Sequence, residues 1–328
     1  MPSSIFNSKK RHPSTTEHER LPHHPYIGSM YVITILATVL VCIAGIEATT
    51  RFAFARLSRI EGRIRTEYNF ARRLSPTQSG RSILLIGDSL LLEDVELNIL
   101  AQALPADVHL QRFSIEQTSY LDWLYGLRRL FAEGTRPSTV LLCIGPNSFM
   151  SNGTRGDYSA FYLFQSRDIP SVAKAAHYDL TTTSSLYFSH YSLFYAGRSG
   201  LRNFVLTKAV PPYSTLMHKL LTRAATPYSP DEVLRICQPR FEELRRLCAA
   251  YSAHFVYVVP PGFGFHDDAM AEAGSRAGTS VLVPVCNDAW GQEKFRDGFH
   301  LNEAGAREFT RMLGPRLNAV LQSSEAAR

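Results

Sequence analysis

The sequence predicts an α/β protein in which helices cover both faces of a mostly parallel sheet, preceded by a single transmembrane helix. The first observation is a series of short apolar runs that alternate with helix-forming segments from Ser82 onward. The second is one longer apolar run, from Tyr26 to Ile46, that contains no charged side chain. The composition agrees with a globular domain, because 45% hydrophobic and 20% charged residues in a chain of 328 allow a sizeable core.

The first 48 residues predict a tail and a membrane anchor. Residues 1–25 are polar and lack periodicity, which is typical of a disordered segment. As a helix, Tyr26–Ile46 reaches about 30 Å, enough to cross a bilayer. A cleaved signal peptide has a shorter apolar core, so we interpret residues 26–48 as a transmembrane signal anchor. A buried core helix is the alternative, although such helices usually carry a polar face.

Basic residues flank the anchor on both sides, so their distribution gives no clear orientation. These residues are Lys9, Lys10, Arg11 and Arg20 before the span and Arg51, Arg56, Arg59, Arg63 and Arg65 after it. We interpret the net charge of +6 as charge near a membrane surface. No compact basic run with interleaved aromatics occurs in the globular part of the sequence, so we expect no nucleic-acid partner.

Residues 49–80 predict a juxtamembrane helix followed by a linker. The stretch Ala48–Leu74 mixes apolar residues with arginines. It continues the transmembrane helix as a stalk, lies on the membrane surface with its arginines at lipid headgroups, or links anchor and domain as a plain solvated helix. Ser75–Gly80 has the composition of a linker, which predicts a domain boundary there and a domain over residues 81–322.

From residue 82 the apolar pattern predicts alternating strands and helices. The predicted strands are Ile83–Ile86, Val108–Phe113, Thr139–Ile144, His254–Val259 and Ser280–Val285. The predicted helices are Leu90–Leu104, Leu121–Ala132, Ser229–Tyr251 and Asn302–Leu321. Such an alternation favours a mostly parallel sheet with helices on both faces.

Ser89 follows the first predicted strand at the turn into a helix. Ligands bind at the carboxyl edge of open α/β sheets, and backbone N–H groups of a helix start point towards that edge. A hydroxyl at this position is a plausible nucleophile. A serine that only caps the helix is the alternative.

Three sequence blocks occur in a recognisable order. They are Gly87-Asp88-Ser89, Gly145-Pro146-Asn147 and Asp297-Gly298-Phe299-His300-Leu301-Asn302. Together they resemble the SGNH (GDSL-type) hydrolase and acyltransferase family over roughly residues 82–321. The resemblance implies a three-layer, flavodoxin-like α/β/α fold. It also implies a catalytic site at Ser89, His300 and Asp297.

These three residue types suit nucleophilic catalysis. A serine hydroxyl is a poor nucleophile at neutral pH and needs an adjacent base, for which His300 is the candidate. Asp297, three residues earlier, is placed to accept the N–H of the other ring nitrogen and so to fix the tautomer. Gly87, Asp88 and Gly145 would support the turns that carry these groups.

The resemblance further implies three donors for an oxyanion hole. They are the Ser89 backbone N–H, the backbone N–H of a glycine after the second strand, and the Asn147 side-chain amide. This sequence departs from the pattern, because it has Ser114-Ile115-Glu116-Gln117 where that glycine is expected. We place the second donor at Ser114, within one or two residues. A serine tolerates positive φ less well than glycine.

Residues 150–228 form an insertion rich in aromatic residues. It is too long to be a structureless loop in a compact domain. The aromatics form the core of a small helical cap, or they are exposed for stacking on sugar rings or docking a membrane partner.

The resemblance implies a membrane-anchored serine enzyme that acts on O-acyl esters. We expect a transferase or esterase for acetyl or a similar group on an envelope polysaccharide, with the domain on the periplasmic side of the inner membrane and a multi-spanning partner that donates the acyl group. Membrane lipid would contact the N-terminal helix. The alternatives are a degenerate domain that binds glycan or scaffolds a complex, and a membrane-surface lipase or thioesterase.

We predict no cofactor and no metal, since no zinc-like cysteine spacing and no nucleotide-binding glycine pattern occurs in the sequence.

Overall fold

The computed structural model describes residues 25–75, 80–210, 228–264 and 266–326. The expected tail before Pro25, part of the expected linker and part of the insertion lie outside the described residues. The strands are β1 (Arg81–Gly87), β2 (Val108–Ser114), β3 (Thr139–Cys143), β4 (His254–Val258) and β5 (Ser280–Leu282). The helices before β4 are α1 (Pro25–Leu57), α2 (Arg59–Ala71), α3 (Ser89–Asp94), α4 (Leu97–Gln102), α5 (Tyr120–Ala132), α6 (Pro146–Met150), α7 (Asp157–Tyr162), α8 (Ile169–Ala175), α9 (Leu180–Tyr191), α10 (Leu193–Ala209) and α11 (Pro230–Ala249). The helices after β4 are α12 (Asp267–Arg276) and α13 (Glu303–Ala326), and short 3₁₀ turns lie at Ser166–Asp168 and Gln292–Lys294.

The five strands form one parallel sheet in the order β2-β1-β3-β4-β5. The predicted α/β fold is therefore confirmed. This is the doubly wound order in which the chain reverses direction across the sheet between β1 and β3. Gly87 at the end of β1 is in register with Ser114 of β2 and Cys143 of β3. Ligands bind at such a reversal point, so residues that follow β1 and β3 hold the favoured position.

Alternate residues of each strand pack on opposite faces of the sheet. Leu84 and Ile86 of β1 pack into a core with α2, α5, α11 and α12. Ile83 and Leu85 pack on the other face with α3, α4 and α13. All four strand residues are fully buried, which explains the continuous apolar run in the sequence.

The single helix predicted over Leu90–Leu104 is wrong, because the structure has two helices there. Val95 adopts an extended conformation with φ −114° and ψ 112°, which ends α3. The backbone N–H of Glu96 then donates to the Thr310 hydroxyl of α13 at 3.0 Å. A helix more than 200 residues away in the sequence thus provides the hydrogen-bond acceptor for the backbone N–H group at the break.

Helix α1 contains one segment, Ser29–Ala53, that is long and apolar enough to cross a membrane, with a mean hydropathy of 2.3. The chain divides into two units, residues 1–46 and residues 47–328. The second unit contains the sheet, so it begins 34 residues before the expected boundary at Arg81.

Helix α2 is part of the sheet-bearing unit, in contrast to the expected stalk, surface helix or solvated link. Its apolar stripe, Ile64, Tyr68 and Ala71, is buried in the core shared with β2 and α5. Two carboxylates on the same helix, Glu61 and Glu67, are also buried. Both accept hydrogen bonds from the rest of the unit, which allows their burial.

The described part of the insertion is helical, and its aromatics divide into two groups. Tyr162 and Phe164 are buried in the main core, where Phe164 packs edge to face on Tyr125 of α5. Phe188 and Tyr191 are exposed. The insertion thus extends the main core and leaves some rings at the surface.

Candidate active site

Ser89 lies where β1 turns into α3. Asp88 caps the helix by accepting the Leu90 N–H at 2.9 Å, so Ser89 is the first helical residue and the capping role falls to its neighbour. A side chain at Gly87 would overlap the Cys143 carbonyl oxygen of β3. The absence of a Cβ at Gly87 therefore allows the two strands to approach closely beside Ser89.

His300 lies next to the Ser89 hydroxyl, as predicted. Its Nε2 atom is 2.9 Å from Ser89 Oγ, and its Nδ1 atom is 2.8 Å from Asp297 Oδ2. With Nδ1 donating to the carboxylate, Nε2 is free to accept from the serine hydroxyl. The structure thus brings the three predicted residues into one hydrogen-bonded row.

A short turn positions Asp297 and His300 relative to each other. An antiparallel bridge between Phe295 and Leu301 closes this turn, and Gly298 within it has a φ of +79°. Oδ1 of Asp297 accepts the backbone N–H of His300 at 2.7 Å and that of Phe299 at 3.1 Å. Partial burial raises the pKa of Asp297, but these bonds and the His300 side chain outweigh burial and lower the pKa to about 2. The carboxylate is therefore ionised at neutral pH.

Helix α3 fixes this turn from the other side. Oδ1 of the buried Asp94 accepts the Leu301 N–H at 2.9 Å, and Glu93 forms an ion pair with Arg296 at 3.2 Å. Burial raises the pKa of Asp94 to about 8, and the nearby Asp88 carboxylate adds to the effect. Asp94 is therefore largely protonated at neutral pH. A neutral carboxyl group costs less free energy to bury than a charged one.

Asp88 connects the Ser89 turn with the turn after β3. Burial raises its pKa to about 7, while the backbone N–H groups of Leu90 and Gly145 favour the ionised form. Asn147 follows Gly145 at the start of α6 and is partly exposed. Among the described residues, no group is hydrogen-bonded to its side-chain amide. This amide is available to a ligand.

A polar groove of about 310 Å³ includes Asn147. The other lining residues are Gln117, Thr118, Ser119, Ser148, Ser151, Gly153 and Thr154. Five of these carry hydroxyl groups, and none is apolar apart from the glycine. Four of these five hydroxyl groups, all but that of Ser148, already form hydrogen bonds within the chain. The groove is therefore lined by polar residue types, with the Asn147 amide as a hydrogen-bonding group that has no partner among the described residues.

The expectation for Ser114 needs correction, because its backbone N–H already has a partner. This N–H donates to Glu67 Oε2 of α2 at 2.9 Å, and the Ser114 side chain is fully buried. Glu67 also accepts from Arg63 at 3.1 Å and from Arg112 at 3.0 Å. The Ser114 amide is directed at a carboxylate of the protein, so it is not an oxyanion donor.

The residues after Ser114 continue towards the groove. Gln117 has a φ of +64°, the left-handed conformation that the expected glycine would have adopted easily. Sequence reasoning missed Glu67 because it placed α2 in a juxtamembrane helix outside the catalytic domain. The only signal was its spacing, since Glu67 lies beside Tyr68 on the apolar stripe of that helix.

Fold and site together define the class of the protein. It is a doubly wound α/β protein with a hydrogen-bonded Ser–His–Asp row at the carboxyl edge of its sheet. Within the described ranges, no group of three or more His, Cys, Asp or Glu side chains is arranged to hold a metal ion.

Comparisons with known proteins add little to this. No protein-family model matches the chain, and no curated protein matches it. Among solved structures, the chain is similar to the crystal structure of TesA, with 13% identity and a TM-score of 0.37. The similarity covers 73% of this chain and 99% of that chain. The function is therefore inferred from the geometry of the chain itself.

Proposed function

We propose that the chain is a membrane-anchored serine enzyme that transfers or hydrolyses O-acyl groups through an acyl-enzyme. The observation that carries this proposal is the row of contacts from Ser89 Oγ to His300 Nε2 and from His300 Nδ1 to Asp297. A serine that only terminates a helix has no need of a histidine at 2.9 Å that is itself oriented by a carboxylate.

The reaction proceeds in two halves. Ser89 Oγ attacks the ester carbonyl carbon while His300 Nε2 takes the hydroxyl proton. The tetrahedral intermediate collapses, the ester C–O bond breaks, and His300 returns the proton to the departing alcohol. In the second half, water or a sugar hydroxyl attacks the acyl-serine, with His300 again as base. Water makes the protein an esterase, and a sugar hydroxyl makes it an O-acyltransferase.

The negative charge on the intermediate requires donors. The Ser89 backbone N–H lies at the start of α3, and the Asn147 amide has no partner in the described structure. We assign the oxyanion to these two groups. The Ser114 amide is excluded from this set by its bond to Glu67.

The hydroxyl-lined groove beside Asn147 supports a polysaccharide substrate with a small acyl group such as acetyl. A long acyl chain would favour a channel lined by aliphatic or aromatic side chains, and none of the residues that line this groove is of those types. The apolar helix supports an anchor in the inner membrane, with the domain on the periplasmic side. One such helix cannot carry an acyl group across a membrane, so a multi-spanning partner would supply it.

A domain that binds glycan without catalysis is the second candidate. The engaged Ser114 amide favours it, because one expected oxyanion donor is missing. Loss of one donor commonly lowers the rate by roughly 10²–10³-fold.

The test uses the full chain in detergent, incubated with p-nitrophenyl acetate, beside Ser89→Ala. We expect one acetyl adduct by intact mass in the wild type and none in the variant. Release of acetate, or transfer to an added oligosaccharide, then separates esterase from transferase. A folded wild type with neither an adduct nor release of acetate above that of Ser89→Ala would overturn the enzyme proposal, and a strong preference for p-nitrophenyl octanoate would overturn the small-acyl assignment.

A further inference from the structure

A second cleft lies on the sheet-bearing unit, between the end of α1 and helix α2. Its volume is about 380 Å³. It is lined by Arg51, Phe52, Arg56, Gly62, Arg65, Thr66 and Asn69. Three of the seven residues are arginines and none is acidic, so the cleft is a concentrated positive site.

One of the three arginines is paired and holds the cleft together. Arg51 forms an ion pair with Glu47 at 2.6 Å and donates to the Tyr191 carbonyl at 2.9 Å. Arg65 donates to the Arg51 carbonyl at 3.0 Å, which places its guanidinium beside the same backbone. These contacts bring two positive charges close together in a defined geometry.

The other two arginines have no ion-pair partner in the part of the chain that the structure describes. Arg56 lies over the Phe52 ring at 4.2 Å, and neither Arg56 nor Arg65 forms a salt bridge with a described carboxylate. Glu61, one turn before Arg65, interacts electrostatically with that arginine, but burial raises the pKa of Glu61, and its carboxyl group accepts hydrogen bonds from Tyr158 and Tyr162. Two guanidinium groups that share a cleft repel each other unless an anion lies between them.

The position of the cleft along the chain indicates which anion. The charge-free run of α1 ends at Ile46, and Arg51 and Arg56 follow within three helical turns. At that distance from the hydrocarbon, a helix passes the level of the lipid headgroups. Phe52 is 67% exposed and Ile60 is 58% exposed, which suits side chains at a membrane interface.

We propose that this cleft binds the phosphate group of an anionic membrane lipid. Arg56 and Arg65 would donate to the phosphate oxygens, because guanidinium groups match phosphate geometry in a bidentate manner. The Asn69 amide lies in the same cleft and adds a polar group beside them. This inference rests on the proposed membrane anchor but not on the proposed acyl chemistry, since it uses none of the residues around Ser89.

The test is native mass spectrometry of the full chain in detergent, titrated with phosphatidylglycerol or with phosphatidylcholine of the same acyl chains. The variant is Arg56→Gln with Arg65→Gln. The matched control is Arg59→Gln with Arg73→Gln, which removes the same charge from exposed arginines outside the cleft. Thermal unfolding of each variant checks that the protein remains folded.

We expect the wild type to retain phosphatidylglycerol in preference to phosphatidylcholine. The cleft variant should bind phosphatidylglycerol about 30-fold more weakly, from the usual contribution of an arginine near anionic lipid, and the control within about threefold of wild type. Equal binding of the two lipids, or an equal loss in both variants, would overturn the proposal. Displacement of the lipid by millimolar inorganic phosphate would assign the cleft to free phosphate and overturn the lipid assignment.

Discussion

The two sides of Ser89 are built in different ways. On one side, the turn from Asp297 to His300 makes its key hydrogen bonds within three residues of the chain. On the other side, the turn after β2 is fixed by Glu67, which lies 47 residues earlier on a different helix. The first side is a local structure, and the second depends on the packing of α2 against the sheet.

This difference explains what a sequence motif can report. A local turn requires a fixed spacing of residue types, so it leaves a visible pattern. A turn that is fixed from a distance requires only a partner somewhere in the chain, and its own sequence is then free to vary. The missing glycine after β2 is a case of the second kind, because an external carboxylate organises that backbone instead.

The largest expected effect tests the local side. His300→Ala removes the base at 2.9 Å from Ser89, and Asp297→Asn removes the carboxylate that orients it. Each substitution should lower the rate of acetyl-adduct formation by about 10⁴-fold. Stopped-flow release of p-nitrophenol measures this rate. His109→Ala, at an exposed position of β2, is the control and should react like wild type. If His300→Ala retains a tenth of the wild-type rate, His300 is not the general base.

The next effect tests Asn147, which follows β3. Asn147→Ala removes an amide that has no partner in the described structure and that lines the polar groove. Loss of one oxyanion donor should lower the acylation rate by roughly 10²–10³-fold. Ser148→Ala, the next groove residue, should change the same rate by less than about fivefold. Equal losses in the two variants would assign Asn147 to groove shape instead of charge stabilisation.

The sequence predicted the local parts of the molecule well and the distant contacts poorly. The buried runs around Leu84 and Leu141 predicted the parallel strands, because a strand buried on both faces must be apolar throughout. Asp297 and His300 were predicted from a family motif whose spacing the turn itself requires. The break at Val95 was not predicted, since it depends on Thr310 of α13.

Helix α2 shows the same limit more clearly. Its arginines suggest a solvated or membrane-surface helix, but Arg63 forms ion pairs with Glu67 and Glu116 within the sheet-bearing unit. Composition alone does not distinguish a charged side chain in water from one that is paired with a partner brought near by the fold. The unit that contains the sheet includes this helix, and the domain boundary at Arg81 stays a prediction.

A smaller effect tests the distant side directly. Glu67→Gln removes the charge that Arg63 and Arg112 share and weakens the acceptor for the Ser114 amide. The turn that leads to Gln117 should then shift, and small displacements of site backbone commonly cost 10- to 100-fold in rate. We expect a loss of that size in acetyl-adduct formation, measured beside the thermal unfolding midpoint.

The matched control for this variant lies on the same helix. Glu61 is as buried as Glu67, but it accepts hydrogen bonds from Tyr158 and Tyr162 of the insertion. Glu61→Gln should lower the unfolding midpoint by a similar amount while the acylation rate stays within about threefold of wild type. If both variants lose acylation rate in proportion to their loss of stability, α2 contributes only to folding. Glu67 then does not specifically position the turn after β2.

The last effect is on stability and concerns a contact between α3 and the turn that carries His300. Asp94 reaches the Leu301 N–H from α3, and its pKa is raised to about 8, against 3.8 for an exposed aspartate. Below about pH 4 the carboxyl is protonated in both the folded and the unfolded chain, and above about pH 8 it is ionised in both. Between these values only the unfolded chain ionises, so rising pH favours unfolding by up to about 1.4 kcal/mol per pH unit.

Asp94→Asn cannot ionise, and its amide oxygen still accepts from Leu301. The variant should therefore exceed the wild type in free energy of unfolding by about 1 kcal/mol at pH 4.5 and by several times that at pH 8, as urea titrations at the two pH values would measure. If the free energies of unfolding of the two proteins differ by the same amount at all pH values in this range, Asp94 is ionised in the folded state. A charged carboxylate would then stabilise the turn that carries His300, as Glu67 stabilises the turn after β2.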